Sequence, residues 1–130
     1  MSTWVSSDLV GKIKSILREV PDAAPEHHMG RPFLTAYQIA IALVERYPEA
    51  VDPLDYPVGG LGTGQQNSLA QYVAQNLSRE IHAGNLADIE GGFLSNQYLR
   101  DLTFLNGDDV VQSSLTGTQF TLSMFRFVGD

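Results

Sequence analysis

Apolar residues recur at helical spacing in three segments of the chain, which predicts three helices. The first helix is expected from about Ser6 or Ser7 to Val20, because Leu9 and the apolar residues after it repeat every three or four positions. Pro21 cannot continue a helix, so the helix should end before it. Residues 21–32 contain three prolines and a glycine and are expected to form a loop.

The second and third helices both begin at a capping box, in which a Ser or Thr side chain accepts from a backbone N–H and a Gln side chain reaches back. Thr35-Ala-Tyr-Gln38 has this form and predicts a helix from Thr35 to about Tyr47. Ser68-Leu-Ala-Gln71 repeats it and predicts a helix from residue 67 or 68 to residue 82 or 83. The second helix is apolar nearly all round, which is typical of a helix at the centre of a core.

The pattern after Gly84 changes to short stretches that favour strands. Gly91-Gly92 is expected to break the chain, and one short helix is predicted within residues 95–102. Residues 102–105 and 110–113 predict a hairpin, because Asn106-Gly107 between them is the strongest two-residue turn sequence. The clearest strand is predicted at Gln119–Val128, where apolar and polar residues alternate.

Helices followed by strands predict an α+β fold, in which a small C-terminal antiparallel sheet packs on three N-terminal helices. At 130 residues the chain is expected to form a single domain, residues 1–130. The order of elements also resembles that of a winged helix, in which two helices form a helix-turn-helix and a β-hairpin follows as the wing. This resemblance implies nucleic-acid binding as one hypothesis.

The composition is that of a folded, acidic protein. The chain has 8 Lys and Arg against 15 Asp and Glu, a formal net charge of -7, and 43% hydrophobic residues. Such a balance disfavours broad binding to a phosphate backbone. No cysteine is present, which excludes disulfides and thiolate metal sites. The first eight residues lack the features of a secretory signal, and no apolar run is long enough to span a membrane, so we expect a cytoplasmic protein.

A glycine-rich stretch before the third helix is the first candidate site. Its residues are Gly59, Gly60, Gly62, Thr63 and Gly64. Backbone N–H groups at a helix N-terminus attract anions, which suggests a small-ligand site. The spacing matches neither a dinucleotide-binding loop nor a P-loop, so a linker is the favoured interpretation.

The polar face of the third helix is the second candidate site. Its residues are Gln71, Gln75, Ser78, Arg79 and His82. Gln, Ser and Arg side chains recognise base edges in a major groove, which suggests DNA binding. The face also carries little charge, and a solvated face or a protein contact is the favoured interpretation. The connection before this helix is far longer than the turn of a plain helix-turn-helix.

No combination of residues predicts a catalytic, metal or cofactor site. Glu26-His27-His28 lacks the spacing of a metal motif and is interpreted as a loop with exposed histidines. No nucleophile, general base and oxyanion site can be identified together. We therefore predict neither a metal nor a cofactor, and the sequence favours a protein that is not an enzyme.

Phe125 and Phe127 lie on the face of the last predicted strand opposite to Leu122 and Met124. This end of the strand is either buried on both sides or an apolar contact for a second copy. The first hypothesis is therefore a non-enzymatic domain that binds another protein or itself. The second is a winged-helix-type DNA-binding or nucleic-acid-mimicking regulator, and the third is a small-ligand site at Gly59–Gly64.

Overall fold

The computed structural model describes residues 2–22, 24–60, 68–115 and 121–129. These residues form the predicted α+β fold, with α-helices and antiparallel sheets. The helices are α1 (Thr3–Ser6), α2 (Leu9–Arg18), α3 (Ala36–Arg46), α4 (Pro48–Val51) and α5 (Leu69–His82). The strands are β1 (Leu34–Thr35), β2 (Ile89–Leu94), β3 (Thr103–Asn106), β4 (Asp109–Gln112) and β5 (Leu122–Phe127). Within the described ranges, no helix is long and apolar enough to cross a bilayer.

The starts of α3 and α5 follow from their capping residues. The Thr35 side chain accepts from the N–H of Gln38, and the Gln38 side chain accepts from the N–H of Thr35, so the predicted capping box is present at α3. Ser68 caps α5 by accepting from the N–H of Gln71. These contacts satisfy N–H groups that have no partner inside the helix, which explains why both helices begin where they do.

The first predicted helix is α2, which begins at Leu9 and not at Ser6 or Ser7, and a short helix that the sequence pattern did not predict, α1, precedes it. The chain turns at Asp8, whose backbone is left-handed (φ 47°, ψ 54°) and whose carboxylate accepts from the N–H of Gly11 to begin α2. Trp4 of α1 is buried against α5, where its backbone N–H donates to the Tyr72 hydroxyl at 3.1 Å. The indole lies edge-on to the Tyr72 ring, with centroids 5.9 Å apart. These contacts hold α1 against α5.

The three-stranded sheet has the order β1-β5-β2 and is antiparallel throughout. Leu34 of β1 pairs with Phe125 at the centre of β5. On the other side, β2 pairs with β5 over six residues, from Ile89 opposite Phe127 to Leu94 opposite Leu122. The sheet therefore joins a strand from between the helices to two strands that follow them, and it is not wholly C-terminal.

Two predictions for residues 84–102 are wrong. Gly91 and Gly92 do not break the chain but lie inside β2. Glycine fits there because an added Cβ at Gly91 would lie only 3.2 Å from the Phe125 ring and 3.3 Å from Ile81 Cδ1. Residues 95–102, all of which the structure describes, contain turns and no helix.

The predicted hairpin is present, but Asn106 pairs with Asp109, so its two-residue turn is Gly107-Asp108 and not Asn106-Gly107. Gly107 has the positive φ of 66° that this turn requires. One face of the hairpin packs on α3, because the ring of Phe104 stacks on the ring of Tyr37 with centroids 5.1 Å apart. The opposite face exposes Leu105 and Val110.

The core lies between the helices and one face of the three-stranded sheet. Phe125 and Phe127 belong to it, with only 3% and 8% of their surface exposed. The hypothesis that these two side chains form a surface contact for a second copy is therefore corrected. The helices cover this face of β5, whereas Met124 and Arg126 on the other face are only half-buried, so this end of the strand is not fully buried on both sides. Other core residues are Leu9, Ile13 and Leu17 of α2, Ile39 and Leu43 of α3, and Val73 and Leu77 of α5.

Candidate binding groove beside helix α5

A groove runs along α5, between the helix and the three-stranded sheet. Its three sections have volumes of about 530, 430 and 370 Å³. Neighbouring sections share lining residues, and Ser123 of β5 lines all three, so they form one continuous depression. We call this depression the α5 groove; it is lined by Gln71, Gln75, Ser78 and His82 of α5 and by Gly91, Phe93 and Ser123 of the sheet.

The polar face predicted on the third helix is one wall of this groove. All five of its residues are exposed and line the groove, namely Gln71, Gln75, Ser78, Arg79 and His82. Helical periodicity brings these positions to one side of α5, since Leu69, Val73 and Leu77 turn the opposite side into the core.

The groove is polar but carries little charge. Arg79 supplies the charged group among its described lining residues, which include no carboxylate. Arg79 Nη1 donates to Asn76 Oδ1 at 3.3 Å, which holds the guanidinium group along the helix. Ser123 and Gly91 make part of the floor, and side chains this small let another molecule approach the backbone closely.

Phe93 stands at the sheet end of the groove, and sequence reasoning missed it. It lies on the same face of β2 as Gly91, because side chains alternate along a strand. Its neighbour across the sheet is Ser123, whose small side chain leaves the ring 69% exposed. Phe93 directly follows Gly91-Gly92 in the sequence. Because a chain break was predicted at these glycines, no strand was predicted there, and the face on which Phe93 lies could not be assigned.

The outer edge of β2 forms the rim of the groove, and no described strand pairs with it. The C=O of Asp88 accepts from the N–H of Val128 at 2.8 Å, so this pair is hydrogen-bonded. Along the same unbroken register, hydrogen-bonded pairs alternate with pairs that are not. The N–H and C=O groups of Gly91 and Phe93 therefore point away from β5, toward the outer edge.

The start of α5 does not present an anion site. Leu69 and Ala70 donate their N–H groups to the carbonyl groups of Pro57 and Val58, at 2.7 and 3.0 Å. The next two N–H groups of the helix donate to Ser68, one to its hydroxyl and one to its carbonyl. The Tyr72 N–H makes the first hydrogen bond inside the helix, so among the donors that an anion would use, those of Leu69, Ala70 and Gln71 are occupied.

Gly59 and Gly60 have a structural role in the fold. Both have a positive φ, 121° and 102°. An added Cβ at Gly60 would lie 2.5 Å from the carbonyl oxygen of Gln112, so glycine is required for close packing against the hairpin. The remaining predicted loop residues, Gly62, Thr63 and Gly64, lie outside the described residues.

The other candidate groups do not assemble into a site. His27 and His28 stack with ring centroids 4.2 Å apart, in an exposed loop. Asp88 pairs with Lys14 at 3.0 Å, and Glu90 with Arg126 at 2.8 Å. In the part of the chain that the structure describes, no three His, Cys, Asp or Glu side chains lie close enough together to hold a metal ion.

Comparisons of the chain with known protein families, curated proteins and solved structures found no match. The α5 groove brings the predicted polar face of the third helix together with Phe93 and the outer edge of β2. Its lining offers hydrogen-bonding groups, one exposed aromatic ring and an open strand edge, which are the means of binding another molecule.

Proposed function

We propose that this protein is a non-enzymatic domain that binds another protein at the α5 groove. The observation that carries the proposal is the continuity of the groove from the polar face of α5 to the exposed ring of Phe93. Protein interfaces combine such polar contacts with a central aromatic anchor. The net charge of -7 favours a basic partner, because opposite charge speeds association.

Binding of duplex DNA is the second candidate, and the order of the elements supports it. One strand between the helices, two strands after them and the order β1-β5-β2 resemble a winged helix in which α5 is the recognition helix. The charges argue against this candidate. Asp101, Asp108 and Asp109 lie in or beside the hairpin that would be the wing, whereas phosphate contacts need Lys and Arg.

A variant that fills the groove tests the protein-binding proposal. Ser78 is exposed and lines two sections, so Ser78→Trp should occupy the groove without reaching the core. Ala83→Trp is the matched control, because it adds the same side chain at an exposed residue after α5. Peptides selected on the wild-type protein from a displayed random library should bind Ser78→Trp at least about tenfold more weakly. Binding to Ala83→Trp should be unchanged.

Equal binding of the selected peptides to Ser78→Trp would contradict the proposal, as would a selection that yields no binder. The DNA candidate is tested separately by fluorescence anisotropy of short duplexes at about 50 mM salt, where the electrostatic contribution is large. If the wild-type protein binds a duplex and Arg79→Ala binds it more weakly, DNA binding would replace the protein-binding proposal. We expect that the protein binds no duplex under these conditions.

A further inference from the structure

We infer that the partner binds as an extended, basic strand that adds to the outer edge of β2, with one apolar side chain between Ile81 and Phe93. The inference rests on the proposed function and specifies the partner's conformation and chemistry. Strand addition takes affinity from main-chain hydrogen bonds and specificity from pockets for alternate side chains. The rim of the α5 groove offers both.

The main-chain contacts would be made by Gly91 and Phe93. Their N–H and C=O groups point away from β5, two residues apart, which is the spacing that an antiparallel partner strand requires. In the described fold, no strand occupies this edge. A partner strand therefore finds two pairs of donors and acceptors already aligned.

The edge of β2 lacks the features by which proteins usually block strand edges. These features are lysine, proline, bulges and inward-pointing charges. The strand Ile-Glu-Gly-Gly-Phe-Leu contains no lysine or proline, and its register with β5 runs over six residues without a bulge. The carboxylate of its one charged residue, Glu90, is paired with Arg126 of β5. The edge is thus open to another strand.

The side-chain pocket lies where β2 meets the end of α5. This section of the groove has a volume of about 370 Å³, and Ile81, Gly91 and Phe93 are among its lining residues. Gly91 has no side chain to fill the space beside the edge, whereas Ile81 and Phe93 provide apolar walls. An aliphatic side chain of the added strand would be buried there, beside the 69% exposed ring of Phe93.

Charge favours a partner protein over a second copy. Pairing two β2 strands would join two chains that each carry a net charge of -7. Glu90 lies on the face of β2 opposite to Gly91, and its side chain is 48% exposed. Its carboxylate is already paired with Arg126, so a Lys or Arg of the partner strand on that face would join this ion pair. The expected partner segment therefore alternates apolar and basic residues.

The test removes one donor at the edge without removing a donor to β5. Phe93→Pro deletes an N–H that points outward, and proline is tolerated on an edge strand at such a position. Phe93→Ala is the matched control, because it also lacks the ring but keeps the N–H. Peptides selected on the wild-type protein should bind Phe93→Pro at least about tenfold more weakly than Phe93→Ala. Sequencing of these peptides should show alternating apolar and basic residues.

A measurement on the wild-type protein keeps the test valid if Phe93→Pro does not fold. A selected peptide should slow amide hydrogen exchange at Gly91 and Phe93, and unchanged exchange at both would overturn strand addition.

If Ser78→Trp abolishes binding while Phe93→Pro and Phe93→Ala bind alike, strand addition fails and the proposed function stands. If none of the three variants weakens binding, both strand addition and the proposed function fail. A wild-type dimer that Phe93→Pro converts to a monomer would assign the edge to a second copy instead.

Discussion

Gly91 and Phe125 lie opposite each other in β2 and β5, and the Phe125 ring fills the space where a side chain at Gly91 would stand. An added Cβ would be 3.2 Å from this ring, closer than ordinary van der Waals contact. The arrangement has two consequences. Phe125 is buried in the core, and Gly91 contributes no side chain to the floor of the α5 groove beside it.

The first prediction concerns the two glycines of β2. Gly91→Ala should lower the free energy of unfolding by about 1 kcal/mol, because the new methyl group forces the Phe125 ring to shift. Gly92→Ala is the matched control, since its Cβ would meet only Met124 Cε, at 3.9 Å. It should leave stability unchanged or raise it by about 0.5 kcal/mol. Urea denaturation measures both, and equal effects would contradict the packing described here.

The second prediction concerns the hydroxyl group of Tyr37. It lies 3.1 Å from the Ser114 hydroxyl and accepts from the Ser114 N–H at 3.2 Å. Tyr37→Phe keeps the ring stacked on Phe104 but removes both hydrogen bonds, so stability should fall by about 1 kcal/mol. Amide exchange at Ser114 should become faster. Tyr98→Phe, at a fully exposed side chain, should change neither quantity.

The third prediction separates the roles of Arg126. Its guanidinium group donates to the carbonyl groups of Met29 and Arg31 and lies over the Phe33 ring, 4.6 Å from the centroid. Arg126→Ala should therefore lower the free energy of unfolding by about 2 kcal/mol. Glu90→Gln removes only a half-exposed ion pair and should cost less than about 1 kcal/mol. If both variants lost the same stability, the carbonyl contacts would not contribute.

The fourth prediction concerns the outer face of the hairpin. Leu105 and Val110 lie opposite each other and are 79% and 62% exposed, so they are an apolar surface that could compete with the groove. Leu105→Ser should change stability by less than about 0.5 kcal/mol, because the side chain is in water. It should also leave the affinity for the selected peptides unchanged. A tenfold weaker affinity (about 1.4 kcal/mol) would move the binding site to the hairpin.

Sequence reasoning succeeded where the information is local. The capping box of Thr35 and Gln38, the Ser68 cap and the hairpin at Gly107 are each specified by residues only a few positions away, although the turn begins one residue later than predicted. The polar face of α5 could be predicted for the same reason. Helical periodicity alone places Gln71, Gln75 and Ser78 on one side.

Sequence reasoning failed where a residue's role depends on a distant partner. Glycine suits position 91 of β2 because the ring of Phe125, which is far away along the chain, occupies the space where a side chain would lie. Phe127 is buried where α2 packs on β5, with the Arg18 guanidinium group over its ring, and no pattern within β5 contains that information. The sheet wall of the α5 groove depends on the relationship between Gly91 and Phe125, so only the helix wall could be predicted.

The account is tested most directly by the amide resonances of the isotope-labelled protein on addition of a peptide selected against it. We predict chemical-shift changes at Ser78, Gly91, Phe93 and Ser123, which border the groove from both sides. The resonances of Leu105 and Val110 should not move. Shifts confined to the hairpin, with β2 and α5 unaffected, would contradict the assignment of binding to the α5 groove.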